Sequence, residues 1–212
     1  TEGVDRILEA LRKREKIVVY GDYDVDGITS TSILYLCLKG MGGDVDYYIP
    51  RRETEGYGLN AKALAHLAEE GFTLLITVDC GISSADLIAK RPASLDIIVT
   101  DHHTPPETLP QCIAVINPHQ KDCPYPYKEL AGCGVAFMVS RALHLKKFGE
   151  DYTDNVELAA LGTVADVVSL TGENRILVRE GMKRFMTTRI RGLAALLRVS
   201  GIVHEDTKAV TR

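Results

Sequence analysis

The chain has no tryptophan, only 6% aromatic residues, and no apolar run approaching the roughly 20 residues a membrane-crossing helix needs. Its five cysteines (Cys37, Cys80, Cys112, Cys123 and Cys133) are an odd number and form no CxxC pair, which argues against both a disulfide framework and a zinc site. Thr1 opens no signal-peptide pattern, and no internal repeat or low-complexity tract appears. A cytoplasmic protein without membrane association is the expectation.

What is present fits one large or two small globular units: 212 residues, 45% hydrophobic and 25% charged, enough for a core without staples. The net charge of −4 is unevenly placed. Residues 171–212 carry 9 Lys/Arg against 4 Asp/Glu (+5), leaving 16 against 25 (−9) before them. The basic segment suits either a polyanion or a solvated helix face.

Val4, Ile7, Leu8 and Leu11 recur at helical spacing, and Lys16–Tyr20 then reads as a buried strand. Strands near Val45–Ile49, Thr73–Val78, Leu95–Thr100 and Ile113–Ile116 alternate with helices opening at Gly27 and over Ala61–Glu70 and Ser83–Lys90. Such alternation implies right-handed crossovers, hence an α/β fold with a mostly parallel β-sheet and helices on both faces. Past a loop with Pro118, Pro124 and Pro126 the reading turns helical, over about 134–147, 155–164, 175–186 and 193–199. The expected organisation is a core over residues 1–170 and a basic helical extension of the same domain over 171–212.

Three strands run apolar into aspartate: IVVYGDYDVD, LLITVDCG and DIIVTDHH. Parallel strands place their C-termini along one edge, where ligand sites form, so Asp22, Asp24, Asp26, Asp79, Asp101, His102 and His103 should converge. Two carboxylates about 4 Å apart repel by roughly 4 kcal/mol at an effective dielectric of about 20, so a counter-charge is called for. Oxygen and imidazole donors suit Mn²⁺ or Mg²⁺. Helix capping explains any one strand-terminal aspartate, Asp79 included, but requires neither a His-His pair nor three alternating acids. Asp166, in LGTVADVVSL, sits among apolar neighbours where an unpaired carboxylate is costly, and a metal accounts for it better than a cap. His66, His119, His144 and His204 are read as structural.

Together YGDYDVDG, TVDCG, TDHH and GTVADVV resemble the DHH phosphoesterase superfamily, and YIPRRETEGYGLN and ELAGCGVAFMV resemble segments of its RecJ-type branch of single-strand-specific exonucleases. The resemblance runs from about Ile17 to Ile202. It implies two Mn²⁺ or Mg²⁺ ions and hydrolysis of single-stranded DNA from the 5′ end, in DNA repair and recombination. It also implies a ligand set: Asp24 and Asp79 for one ion, and Asp26, Asp79, His102 and Asp166 for the other, with Asp79 bridging. Related pyrophosphatases and small-oligonucleotide phosphodiesterases have a histidine where this chain has Tyr20, and Asp22 either supplies the missing ligand or orients one.

By the same resemblance Asp101 holds the imidazoles and His103 contacts the scissile phosphate. Arg52, with the backbone amides at Gly132 to Gly134, is expected to receive a substrate phosphate. RecJ-type enzymes continue into further domains, a glycine-rich one and an OB-fold, neither of which is recognisable here; repair or replication proteins would be reached through them. Two alternatives stand: a phosphodiesterase of short oligonucleotides or cyclic dinucleotides, disfavoured by Tyr20, and a non-catalytic replication scaffold of the Cdc45 type, disfavoured by the intact acid and histidine set.

Overall fold

The computed structural model describes residues 2–202; the end of the basic extension, 203–212, and His204 with it, lies outside the described residues. Helix α1 (Glu2–Lys13) precedes β1 (Lys16–Tyr20), α2 (Val25–Gly40) and β2 (Asp44–Tyr48). A short α3 (Arg52–Glu55) and α4 (Ala61–Glu69) lead to β3 (Leu74–Thr77), α5 (Ala85–Ala89), β4 (Asp96–Thr100) and β5 (Ala114–Ile116). The chain then turns helical in α6 (Gly132–Phe148), α7 (Val156–Ala165), α8 (Gly172–Arg184) and α9 (Arg191–Val199).

The five strands order as β2-β1-β3-β4-β5, every pairing parallel. Because strand side chains alternate faces, Ile17, Val19, Leu74, Ile76 and Ile98 join one core with α1, α2, α6 and α7. Val18, Tyr20, Leu75, Ile97 and Val99 join a second with α4 and α5. Both faces are therefore covered, as the apolar strand runs predicted. The helical portion is part of the first core: Leu158, Leu177, Phe185, Leu193 and Leu197 all pack into it. Among the described residues no helix is long and apolar enough to cross a membrane.

Helices α2 and α3 differ from the expectation, and α8 opens at Gly172 rather than Arg175. Helix α2 starts at Val25 because the Asp24 carboxylate accepts the Gly27 amide (2.8 Å), so the N-terminus begins inside the aspartate triplet. Helix α3, a single turn, carries no apolar periodicity to reveal it; the Arg51 amide donates to Glu55 (2.8 Å) and closes it.

Candidate metal centre

The strand order reverses between β1 and β3, the switch point at which an open parallel sheet forms a crevice beyond its strand ends. Asp22 and Asp26 follow β1, Asp79 follows β3, and Asp101, His102 and His103 follow β4. Asp166 arrives from the C-terminal end of α7, which packs on α2.

His102 is the point on which the acids converge. Its Nε2 lies 3.1 Å from Asp79 Oδ1, 3.7 Å from Asp26 Oδ2 and 3.8 Å from Asp166 Oδ2. Among the described residues two groups of donor atoms, each within 4.8 Å of one another, share this ring: Asp79, His102 and His103, and Asp26, His102 and Asp166. His102 Nε2, Asp79 Oδ1 and Asp166 Oδ2 are buried yet make no aligned hydrogen bond. Native proteins rarely leave such atoms orphaned. Carboxylate oxygens and imidazole nitrogens, with no thiolate among them, fit a hard divalent cation.

The crowding perturbs the titrating groups. Burial raises the Asp79 carboxyl to about 7, with the Asp26 charge adding to it and His102 opposing. For His102 burial disfavours the charged ring, but Asp79, Asp26 and Asp166 outweigh it and lift the imidazole to about 9. Burial also raises Asp166 and Asp22. Without a cation the cluster gathers protons instead.

Each candidate ligand has its own support. Both Asp26 oxygens accept backbone amides at the start of α6, Gly132 at 2.6 Å and Cys133 at 2.8 Å. Asp79, two residues past the end of β3, has φ +59°, in the left-handed region that non-glycine residues adopt at a cost. Gly132 must lack a side chain, since a Cβ there would sit 2.7 Å from the Asp79 Cβ and Oδ1. Asp101, wholly buried, accepts the His102 amide (2.7 Å), the His103 amide (3.1 Å) and the His103 Nδ1 (2.7 Å), while its other oxygen takes the Ile82 amide (2.9 Å). Burial works against its charge, but His103 and these amides prevail and hold it below the ordinary carboxylate range.

The other predicted residues fall in distinct places. Asp24 is exposed and caps α2, and Asp22 is buried with its carboxylate accepting the Tyr23 amide (2.8 Å); neither is in the two donor groups. The Gly132 amide, expected to receive a phosphate, is instead taken by Asp26, as is that of Cys133, because the buried carboxylate needs them more than an open crevice does. Gly134 packs against Leu130. Arg52 is exposed, its guanidinium over the Tyr23 ring at 5.4 Å. Tyr20 points into the second core, where its hydroxyl donates to the Gly58 carbonyl (3.0 Å) and its ring stacks on Tyr48. Sequence reasoning passed over Tyr57, whose half-exposed ring meets His103 edge-on at 6.4 Å between centroids. Its place in the EGYG turn was the available signal.

A family model, DHH family, N-terminal domain, matches residues 16–163. The single-stranded-DNA-specific exonuclease RecJ of Bacillus subtilis is 45% identical over 201 residues, covering 94% of this chain and 25% of its own length. A crystal structure of exonuclease RecJ bound to manganese matches with a TM-score of 0.88 and 37% identity, over 99% of this chain and 54% of that one. The RecJ of Thermus thermophilus in complex with Mn²⁺ matches at 0.85 and 35%, over 99% of this chain and 30% of that one. The chain thus spans between a quarter and about half of the relatives it matches. Since the match covers β1 through most of α7, the elements that bring Asp26, Asp79, His102 and Asp166 together, the chain belongs to the DHH family.

Proposed function

We propose that this chain is the catalytic core of a two-metal exonuclease that hydrolyses single-stranded DNA from its 5′ end, acting in the cytoplasm in DNA repair and recombination. The observation that carries the reading is the convergence of Asp26, Asp79 and Asp166 on His102, with three buried donor atoms left unpartnered. The names of the relatives supply the substrate, and the manganese in their structures supplies the cofactor class.

Asp26, Asp79, His102 and Asp166 would hold one Mn²⁺ or Mg²⁺, and Asp79 with Asp24 the second, Asp22 lying beside them. When bound, the ions supply Lewis acidity, making water a nucleophile near neutral pH and offsetting charge on the phosphoryl oxygens. The chain's own groups do the rest. The ionised Asp101 accepts only, so His103 Nδ1 carries a proton and the ring presents its Nε2 edge outward. The Asp101 hydrogen bond also raises the pKa of His103, favouring a positive charge where a scissile phosphate would lie. Arg52 beside Tyr23 provides a planar donor for a terminal phosphate. Residues 1–170 form the core of this reading and 171–212 its basic extension toward further domains, through which repair or replication proteins would be reached.

The test is hydrolysis of 5′-labelled, 3′-labelled and cyclic substrates with Mn²⁺. Mononucleotides released first from the 5′-labelled end are expected. Faster attack on 3′ ends, or on a cyclic dinucleotide, would replace the polarity and substrate assignment.

A further inference from the structure

Asn174, in the first turn of α8, is fully buried, and its side-chain amide bridges two loops. Nδ2 donates to the Glu129 carbonyl and to the Ser169 carbonyl, the latter at 3.0 Å. Glu129 stands three residues before Gly132, whose amide grips Asp26, and Ser169 stands three residues after Asp166. One NH₂ group therefore ties the segment that cradles one metal-site acid to the segment that carries another.

The tie is reinforced on either side. The Tyr125 hydroxyl donates to Glu173 (2.7 Å), and the Tyr127 hydroxyl meets the Thr171 carbonyl (2.8 Å) and the Ser169 carbonyl (3.3 Å). Gly172 makes room for the Tyr127 ring, since a Cβ there would lie 2.5 Å from its Cε2. Residues 125–129 and 169–174 are clasped along their length.

We infer that Asn174 is a positioning residue for the metal centre, setting the distance between the Asp26 cradle and Asp166. The inference rests on the metal-centre reading above. An amide suits the geometry on its donor side: two carbonyls face Nδ2, which offers two N–H donors on one atom, while Oδ1 has no partner among the described residues. Aspartate has the same shape but would set a carboxylate against two carbonyl oxygens, and leucine would strip both carbonyls of this donor in the interior.

Asn174→Asp, Asn174→Leu and Tyr127→Phe test this, beside Leu177→Ala, which opens the core one turn along α8 without touching the clasp. Two readouts are taken on folded protein below each variant's Tm: Mn²⁺ affinity by calorimetry, and hydrogen exchange of the Gly132 and Cys133 amides in metal-free protein. The Asn174 variants should bind Mn²⁺ about tenfold more weakly, the loss typical when a group that holds a metal ligand in place is removed. Their two amides should exchange faster. Leu177→Ala should lower Tm while leaving affinity and those amides unchanged. Tyr127→Phe, which keeps the partly buried ring and removes only the hydroxyl, should fold in any case and shift both readouts in the same direction by less.

Wild-type affinity and exchange in the Asn174 variants would overturn the inference, and so would equal losses in Leu177→Ala, which would make the role merely structural. If neither Asn174 variant folds, Tyr127→Phe decides alone, an unchanged result counting against the clasp. A wild-type protein that binds no Mn²⁺ sinks the metal reading, and the amide exchange still judges the clasp.

Discussion

The carboxylate of Asp26 is gripped by the backbone of Gly132, 106 residues further along the chain, through a hydrogen bond of 2.6 Å. With the Cys133 amide on its other oxygen, Asp26 is anchored at the N-terminal end of α6, where unpaired N–H groups and the helix dipole favour a negative charge. The structure thus holds like charges together partly by backbone, and within the site it is Asp79, His102 and Asp166 that keep unpartnered atoms.

Gly132→Ala should disable the site without altering any ligand. The new Cβ would fall 2.7 Å from Asp79 Cβ and Oδ1, so either Asp79 or the start of α6 must move. A destabilisation of about 1–3 kcal/mol is expected from the overpacking, with loss of Mn²⁺ binding by calorimetry beyond it. Gly40→Ala, where a Cβ meets nothing within 4 Å, is the matched control.

Asp79→Ala should abolish hydrolysis and weaken binding of both ions, because its carboxylate lies against His102 and would serve each ion. His66→Ala, on the exposed side of α4, should change neither. Two intact metal sites in the Asp79 variant would refute the bridging role.

Metal stabilisation should grow with pH. Asp79 (about 7) and His102 (about 9) both titrate above their ordinary values, so both bind protons more tightly folded than unfolded. The stability they lend the metal-free fold is complete below the unfolded values, 3.8 for Asp79 and 6.5 for His102, and is lost as pH rises through the folded ones. A cation must displace those protons. The stabilisation on adding Mg²⁺, read from the Tm gain, should therefore rise from about pH 6 to about pH 8, by up to roughly 1.4 kcal/mol per proton displaced per pH unit. A gain independent of pH would contradict the assignment.

Asp101→Asn should slow turnover by on the order of tenfold or more, as expected when the partner fixing a histidine's tautomer is changed, while Mn²⁺ still binds. Its carboxylate touches the His103 ring and both histidine amides but not the His102 ring. Single-turnover kinetics alongside calorimetry separates the two effects, and a parallel loss of metal affinity would argue against it.

Arg52→Ala should raise KM for a 5′-phosphorylated oligomer on the order of tenfold, equivalent to about 1.5 kcal/mol, the lower end for a hydrogen bond to a charged group, since the arginine is exposed. The same oligomer lacking its 5′ phosphate should show little difference between wild type and variant. An equal loss on both substrates would remove Arg52 from phosphate recognition.

The sequence by itself determined the parallel sheet and most of the acid and histidine set, because both are written in local pattern. Apolar strand runs such as Ile17–Tyr20 and Leu74–Thr77 cannot be half exposed, and aspartates at the ends of parallel strands meet whatever lies between them. Only the tertiary structure decided how the alternating aspartates divide their work. Asp24 puts one carboxylate oxygen on the Gly27 amide, Asp22 one on the Tyr23 amide, and Asp26 both on amides from α6, choices set by where helices begin and by a contact across 106 positions. The same long-range packing turned the Gly132 amide from a phosphate donor into a ligand support, and made Asn174, unremarked among the polar residues of α8, the link between Asp26 and Asp166. Spacing along a chain reports which residues share a strand end; which hydrogen bond each then makes depends on the partners that folding delivers.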